Sequence, residues 1–254
     1  MNKGFNRYCR QIMVFGGGGQ KKLFNAKALV VGAGGLGSAA IQYLAAAGIG
    51  KLGIADGDVV EEHNLQRQTI HAGNVGMNKT ESAKLFVEKL NPEVDVKTYP
   101  FNITPENVLE IVKNYDVVVS CPDNFKVRYL LNDACRIAKK PFIHAAIYGF
   151  EGEAFTVIDT PCYRCLFPEA PEISGLAVIG STAGLFGCIQ ASEAIKVITG
   201  YGNLLEGKLL RIDLSTMEFF EIKFKTNPSC PVCSGELKEI HAENYEGSCK
   251  VVRL

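Results

Sequence analysis

Short apolar runs alternate with amphipathic stretches through roughly the first 150 residues of the chain. Ala28–Gly32 reads Ala-Leu-Val-Val-Gly, which is the pattern of a buried parallel strand. Small and apolar residues then recur at helical spacing from Leu36 to Ala47, and Gly48 stands where a C-cap is expected. A second strand is predicted from Leu52 to Ala55, so this region forms a βαβ unit.

The alternation of strand and helix patterns continues beyond this unit. Further helices are predicted at Lys79–Leu90, which Asn91-Pro92 should stop, and at Phe125–Lys139, and further strands at Val94–Tyr99, Tyr115–Ser120 and Phe142–Ala146. Such alternation predicts an α/β fold, a Rossmann-like doubly wound and mostly parallel sheet with right-handed crossovers.

The pattern changes after Gly149. A strand is predicted at Glu153–Ile158, a loop at Glu169–Gly175, a long helix at Ser181–Thr199, and an antiparallel pair at Leu209–Leu214 and Glu218–Phe224. No linker divides the chain, so we expect a single domain over residues 1–254 whose sheet is extended by antiparallel strands. Tyr148–Gly152 marks a transition between a nucleotide-binding half, about 1–150, and a second half, about 151–254.

Composition excludes several classes of protein. The 254 residues carry no formal net charge and 21% are charged, so nothing indicates a general affinity for nucleic acid. No stretch approaches the roughly 18 apolar residues of a membrane span, and the N-terminus lacks a signal-peptide profile. Nine cysteines without an export signal indicate thiols and metal ligands in a cytoplasmic protein, not a disulfide framework.

A glycine-rich turn follows the first predicted strand. Gly32, Gly34, Gly35 and Gly37 fit the G-x-G-x-x-G spacing between a strand and a helix, where backbone amides can meet a phosphate. Asp56 lies 24 positions after Gly32, at the end of the second strand, where an acid typically binds a ribose hydroxyl. The motif predicts an adenine nucleotide and leaves NAD, FAD, SAM and ATP open.

The polar segment after Asp56 favours a triphosphate. Asp58, Asn64 and Arg67 lie in it, and Lys79 begins the next helix. A dinucleotide oxidoreductase has no evident need for such groups, whereas a displaced phosphate must have its charge neutralised. Asp123 follows a buried strand, at the edge where ligands bind in open α/β sheets, and could hold Mg²⁺.

Two CxxC pairs lie in the second half: Cys162 with Cys165, and Cys230 with Cys233. Together they supply the four thiolates of a structural, tetrahedral Zn²⁺ site. Redox centres are the competing interpretation. Pro161 and Pro231 place both pairs in turns, a setting that favours zinc.

These motifs together resemble a known family. The matching segments span most of the chain: Arg7-Tyr8-Cys9-Arg10-Gln11, the glycine loop, Asp56–Gln68, Gly76–Lys79, Cys121–Asn124, Cys162–Pro168 and Cys230–Cys233. In them the sequence resembles the MoeB/ThiF group of ubiquitin-activating-like adenylyltransferases.

The resemblance implies a set of roles. Asp56 would bind the ribose of ATP, while Asn64, Arg67 and Lys79 would address its phosphates. Asp123 would assist Mg²⁺, and Arg10 would reach into the active site of a homodimer partner. The implied substrate is the C-terminal glycine carboxylate of a small ubiquitin-fold sulfur-carrier protein, ThiS- or MoaD-like, ending in Gly-Gly. The second half would then be the zinc-clamped, carrier-binding half.

The resemblance leaves the pathway open between thiamine, molybdenum-cofactor and other biosynthesis. A carrier carboxylate with a pKa of roughly 3.5 is ionised at neutral pH, so no general base is required and the four histidines are expected to be structural. Alternatives are a non-catalytic scaffold for a ubiquitin-fold partner, an NAD-dependent oxidoreductase, and a tRNA threonylcarbamoyladenosine dehydratase-like enzyme.

The source of sulfur is a further open point. Leu166–Gly180, where sulfur-handling relatives carry a cysteine, contains none. We therefore expect the reaction to stop at the adenylate, with a separate sulfur donor. The competing possibility is that Cys188 or Cys121 acts as a nucleophile.

Overall fold

The computed structural model describes residues 6–170 and 177–245. Within them one sheet has the strand order β3-β2-β1-β4-β5-β6-β7-β8. The first five strands are parallel and the remaining pairings antiparallel. The strands are β1 Lys27–Val31, β2 Lys51–Ala55, β3 Asp95–Tyr99, β4 Val117–Ser120, β5 Phe142–Tyr148, β6 Glu151–Val157, β7 Lys208–Asp213 and β8 Glu218–Lys223. The predicted fold class is confirmed.

Helices cover both faces of the sheet. They are α1 Cys9–Asn25, α2 Gly35–Ala47, α3 Lys79–Leu90, α4 Val108–Val112, α5 Phe125–Ile137, α6 Tyr163–Leu166 and α7 Gly180–Thr199. Gly48 ends α2 in the left-handed conformation, as predicted. The pattern did not predict α1 or α4, and Gly16 interrupts α1 with a non-helical conformation.

The central strands lie between two hydrophobic layers. Val30 and Val119 face a cluster with residues of α2 and α7, while Leu29 and Val118 face a cluster with residues of α4 and α5. All four side chains are fully buried. Burial on both faces explains why β1 and β4 are continuous apolar runs instead of alternating ones.

The second half differs in detail from its sequence prediction. β5 and β6 pair up to Tyr148 and Glu151, so the predicted transition is a hairpin turn within one sheet. The first CxxC pair, expected in a turn, belongs to the short helix α6: Cys162 is its N-cap and Cys165 lies within it. The predicted loop Glu169–Gly175 lies mostly outside the described residues.

The strand order creates a crevice. The chain passes from β1 outward to β2 and β3, then returns to the other side of β1 as β4. Loops at the carboxyl ends of β1 and β4 therefore diverge, and such a switch point is where open α/β sheets bind ligands. Among the described helices, none combines the length and hydrophobicity needed to cross a bilayer.

Candidate nucleotide-binding and metal sites

A pocket of about 820 Å³ opens at this switch point. It brings together most of the residues predicted for the nucleotide site. Those lining it are Gly32, Gly34, Gly35, Asp56, Asp58, Asn64, Arg67, Lys79 and Asp123.

The glycine loop packs tightly between strand and helix. Gly32 has a φ of +93°, and a Cβ there would lie 2.6 Å from the carbonyl oxygen of Cys121. A Cβ on Gly37 would lie 2.0 Å from the carbonyl oxygen of Gly32. Gly37, which was predicted to bind the nucleotide, is not among the residues that line the pocket. Its missing side chain lets the first turn of α2 pack against the loop that follows β1. The helix begins at Gly35 and directs its unpaired amides to the pocket, an arrangement suited to a phosphate.

The Asp56 carboxylate is held by two backbone amides at the end of β2. It accepts hydrogen bonds from Ala33 N at 2.7 Å and from Asp58 N at 2.8 Å. Burial raises the pKa of this carboxyl, and the two amides oppose the rise because they stabilise the charged form. Asp56 thus fixes the glycine loop as well as lining the pocket.

His71 holds the same loop from behind. It is fully buried, with Nε2 2.8 Å from the carbonyl oxygen of Ala33 and Nδ1 2.9 Å from Ser82 Oγ. A carbonyl only accepts, so Nε2 donates and Nδ1 accepts from the Ser82 hydroxyl. Burial lowers the pKa of His71, which favours this neutral form. His71 is structural, as expected, whereas the exposed His63 lines the pocket.

Lys79 carries a buried positive charge at the first position of α3. Its side chain is 8% exposed, and Nζ lies 2.8 Å from Asp58 Oδ2. The N-cap residue Asn78 donates to the Asp58 carbonyl at 3.1 Å and accepts from Thr80 N. These hydrogen bonds join the start of α3 to the loop after β2. Because of them, Lys79 is already positioned at the pocket before any ligand binds.

Asn64 ends a 3-10 helix, Glu62–Asn64, and Arg67 lies in the turn that follows it; both line the pocket. Asn64 is buried, and its Oδ1 accepts from Glu61 N at 3.2 Å, closing the turn. Arg67 is half-buried and donates to the His63 carbonyl at 3.2 Å. Asn64 therefore stabilises the backbone turn, and Arg67 provides a positive charge at the pocket.

The two remaining predicted residues lie in contrasting places. Asp123 is exposed in the turn after β4 and lines the pocket, as predicted from its position at a strand end. Arg10 is exposed on α1 and is not among the residues that line the pocket of this chain. Its role across a dimer stays a prediction.

Sequence reasoning missed two buried polar residues that line the pocket. Gln68 is buried, and its Oε1 has no hydrogen-bond partner among the described residues. Arg128 is 7% exposed. Its position on α5, one helical turn after Asn124, was the signal available in the sequence.

The four cysteines of the CxxC pairs lie together, with all their sulfur atoms within 4.8 Å of one another. Cys162 Sγ is 4.0 Å from Cys165 Sγ and 3.6 Å from Cys230 Sγ, and Cys165 Sγ is 3.5 Å from Cys233 Sγ. Sulfur atoms on a tetrahedron with Zn–S bonds of about 2.3 Å would be about 3.8 Å apart. The arrangement therefore fits Zn²⁺.

A buried ion pair attaches this cluster to α5. Arg164, between the first two cysteines, is 3% exposed and donates from Nη2 to Asp133 Oδ2 at 2.8 Å. Tyr245, near the end of the described chain, donates to the same oxygen at 3.0 Å. The cysteine cluster and the C-terminal segment thus share Asp133 of α5 as an anchor.

Cys121, Cys188 and Cys135 are poorly suited to act as nucleophiles in the pocket. Cys121 lies at its wall, but the thiol donates to Gln190 Oε1 at 3.2 Å and burial raises its pKa, which disfavours the nucleophilic thiolate. Cys188 is half-buried in α7, does not line the pocket, and has its pKa raised by burial. Cys135 is fully buried, as expected for a core residue.

Comparisons with known proteins agree with this geometry. The family model described as the ThiF family matches residues 8–232. The chain is 48% identical to the SAMP-activating enzyme E1 of Haloferax volcanii, with 97% of this chain and 95% of that protein covered. It is 40% identical to the sulfur carrier protein adenylyltransferase of Thermus thermophilus, with 96% of each covered.

One similar protein is longer. The chain is 41% identical to the adenylyltransferase and sulfurtransferase MOCS3 of Drosophila virilis, with 98% of this chain covered but only 58% of the length of that protein. Among solved structures, Escherichia coli MccB with ATP superposes with a TM-score of 0.81 at 28% identity. That superposition covers 90% of this chain and 74% of MccB.

Proposed function

The chain belongs to the ThiF family, and from that membership we propose that it is an ATP-dependent adenylyltransferase acting on the C-terminal glycine carboxylate of a small ubiquitin-fold carrier protein. Two similar proteins are named as a sulfur carrier protein adenylyltransferase and a SAMP-activating enzyme E1. A ThiS- or MoaD-like carrier is our specific proposal, with thiamine or molybdenum-cofactor biosynthesis as its pathway.

The observation that carries this proposal is the composition of the pocket. The amides at the start of α2 lie in one crevice with two cations, Arg67 and Lys79, and two carboxylates, Asp56 and Asp123. Nucleotidyl transfer needs such a set, because the enzyme must neutralise phosphate charge and align the reactants. ATP in the similar MccB structure supports ATP as the nucleotide.

Each residue would then do one task. Asp56 accepts hydrogen bonds from the ribose hydroxyls, and the α2 amides receive a phosphate. Lys79 exchanges its contact with Asp58 for a phosphate oxygen, and Arg67 stabilises charge on the departing pyrophosphate. Asp123 would hold Mg²⁺, which when bound would neutralise phosphate charge. In a homodimer, Arg10 of the partner would add a further cation.

No proton transfer is required for the first step. A C-terminal carboxylate is ionised at neutral pH, so its oxygen attacks the α-phosphorus directly. The new bond joins this oxygen to phosphorus, and the bond to the β-phosphate oxygen breaks with its electron pair leaving on pyrophosphate. The product is the carrier acyl-adenylate. Sulfur would then come from a separate donor.

The cysteine cluster would have a structural role. Cys162, Cys165, Cys230 and Cys233 would hold Zn²⁺, and the metal would then join the C-terminal segment to the body of the chain. Because these cysteines are not among the residues that line the pocket, we assign the metal no part in the transfer.

ATP–pyrophosphate exchange with a carrier tests the proposed function. We expect exchange only when a carrier ending in Gly-Gly is present. Arg67→Ala and Asp123→Ala should each lower the exchange rate at least about a hundredfold, the scale of losing one transition-state stabiliser. Asp56→Ala should chiefly weaken ATP binding, because its contact exists before and during the reaction.

Lys126→Ala is the matched control. Lys126 is exposed on α5, three positions after Asp123, and does not line the pocket. Its variant should keep the wild-type exchange rate. If wild-type protein binds the carrier but gives no exchange, the scaffold interpretation replaces the enzyme. If it binds NAD far more tightly than ATP, the oxidoreductase interpretation does.

A further inference from the structure

Arg128 is a buried cation without an ionic partner. The residue is 7% exposed, and no carboxylate oxygen of the described residues lies within 4.0 Å of its guanidinium. Arg164, which is also buried, pairs with Asp133 through several contacts. Removing a charge from water costs several kcal/mol unless an opposite charge compensates. A buried and uncompensated guanidinium at a pocket wall therefore indicates an anionic ligand.

Two contacts orient the Arg128 side chain. Its Nε donates to the Pro122 carbonyl at 3.2 Å, and its guanidinium lies over the Phe125 ring, 5.0 Å from the centroid. These contacts orient the plane of the group. The Tyr163 hydroxyl interacts with the guanidinium, but no contact of normal hydrogen-bond distance and angle joins them. Within the described part of the chain the two terminal nitrogens, which form the edge that binds a carboxylate in bidentate fashion, make no such hydrogen bond.

Arg128, on α5, is held near the carboxyl end of β4 and away from the ribose end of the pocket. Asp56 follows β2, the glycine loop follows β1, and Pro122, which holds Arg128, follows β4. Neighbouring strands are about 4.8 Å apart, so Arg128 lies beyond the phosphate-binding loop as seen from Asp56. The half-buried apolar residues Ile147 and Val178 line the pocket too. This end is where a group that attacks the α-phosphate would enter.

The interior next to Arg128 is also polar. Tyr163 OH, His144 Nδ1 and Ser120 Oγ are buried and have no hydrogen-bond partner among the described residues. The His144 and Tyr163 rings are 4.8 Å apart, and His144 pairs with Ser120 across β4 and β5. Burial raises the pKa of Tyr163, and the charge of Arg128 acts against that rise. These unpaired polar atoms make the protein interior beside Arg128 polar, which suits the binding of a charged ligand there.

We propose that the two terminal nitrogens of Arg128 bind the C-terminal carboxylate of the carrier protein and direct it at the α-phosphate. This inference rests on the function proposed above. Arg128 places one oxygen for attack while it neutralises the repulsion between carboxylate and phosphate. As the acyl-adenylate forms, the carboxylate loses its charge and its contact with Arg128 weakens.

The test compares a carrier that ends in a free glycine carboxylate with the same carrier ending in a glycine amide. Wild-type protein should bind the acid more tightly than the amide by about 10- to 100-fold, the worth of a charge-assisted pair. Arg128→Gln should lose most of this preference and raise the KM for carrier in exchange by a similar factor. Arg128→Lys should retain part of it.

ATP binding without carrier supplies the control measurement. Calorimetry should give ATP affinities for Arg128→Gln within about twofold of wild type, and Lys126→Ala should match wild type in every assay. Thermal unfolding selects variants that remain folded.

Two results would overturn the inference. One is an unchanged preference for the acid in Arg128→Gln. The other is a loss of ATP affinity as large as the loss of carrier affinity, which would make Arg128 a phosphate contact. If either result is found while wild-type protein still catalyses ATP–pyrophosphate exchange, only the role of Arg128 is wrong and the proposed function is unaffected. If wild-type protein catalyses no exchange, the proposed function itself is wrong.

Discussion

At the scale of single residues, the shape of the pocket depends on side chains that form hydrogen bonds to the backbone of the glycine loop. Asp56 binds the amide of Ala33, and His71 binds the carbonyl of the same residue. The peptide groups around Ala33 are thereby fixed on both sides, in a loop whose glycines would otherwise be free to move. A phosphate site made of amides loses less entropy on binding when those amides are fixed beforehand.

His71→Gln should change how stability depends on pH. Because burial lowers the pKa of His71, the unfolded chain takes up a proton below about pH 6.5 while the folded protein does not. Wild-type stability should therefore fall as pH drops through that value. The variant should be less stable at pH 7.5, by about 1–3 kcal/mol for the lost hydrogen bonds, but should lose less on going to pH 5.5. Denaturant unfolding at both values measures this.

His241→Gln is the control for that comparison. His241 is 45% exposed, so its replacement should leave the pH dependence of wild type unchanged. Loss of metal at low pH would affect all three proteins alike, and the difference between them isolates His71. Equal pH dependence in wild type and His71→Gln would contradict the assignment.

At the scale of elements, α5 joins the two sites. Its first turn carries Arg128 at the pocket, and its third turn carries Asp133, which binds Arg164 of the first CxxC pair. Sequence reasoning located both sites but gave no link between them. The link exists because residues five apart on one helix extend from different turns toward neighbouring parts of the fold.

The cysteine cluster should hold one Zn²⁺ per chain. The two pairs are separated by 64 residues, 166 to 229, so the metal would close a long loop and contribute to folding. Cys233→Ser should therefore lower the thermal midpoint by many degrees and reduce bound zinc, while the surviving folded protein keeps much of its ATP affinity. Cys188→Ser, outside the cluster, should change neither. Metal-free native protein, or a Cys162–Cys165 disulfide in it, would count against the site.

At the scale of the whole molecule, a second subunit could contribute an additional cation, Arg10, to the pocket. Arg10 lies exposed on α1, and Met13 and Val14 on that helix are 79% and 56% exposed. Exposed apolar side chains beside an arginine that lies away from the pocket are consistent with the homodimer that we predict. The comparisons do not test this state, and it stays a prediction.

Mixing two inactive variants tests the shared site. If Arg10 acts in the pocket of the partner, Arg10→Ala and Arg67→Ala proteins should each be inactive alone. After subunit exchange, a heterodimer should regain one intact pocket and with it part of the exchange activity. Light scattering must first establish a dimer, and labelled subunits must establish exchange. Demonstrated exchange without recovered activity would assign Arg10 elsewhere.

The amino-acid sequence by itself determined the features that depend on neighbours along the chain. The spacing of hydrophobic residues along the chain predicted most strands and helices. A helix or strand with one buried face repeats its apolar residues at a fixed interval, and a strand buried on both faces is a continuous apolar run. The glycine loop and the CxxC pairs were predictable because their geometry is encoded within a few residues. α1 was missed because the run Gly16–Gly19 conceals its helical pattern.

Only the tertiary structure decided what depends on residues far apart. His71 reaches Ala33 across 38 positions, and Arg164 reaches Asp133 across 31. The lack of an ionic partner for Arg128 appears only when its surroundings are assembled. Whether a polar side chain is paired or left for a ligand is set by the burial and distance of groups from other elements, and no local pattern records these.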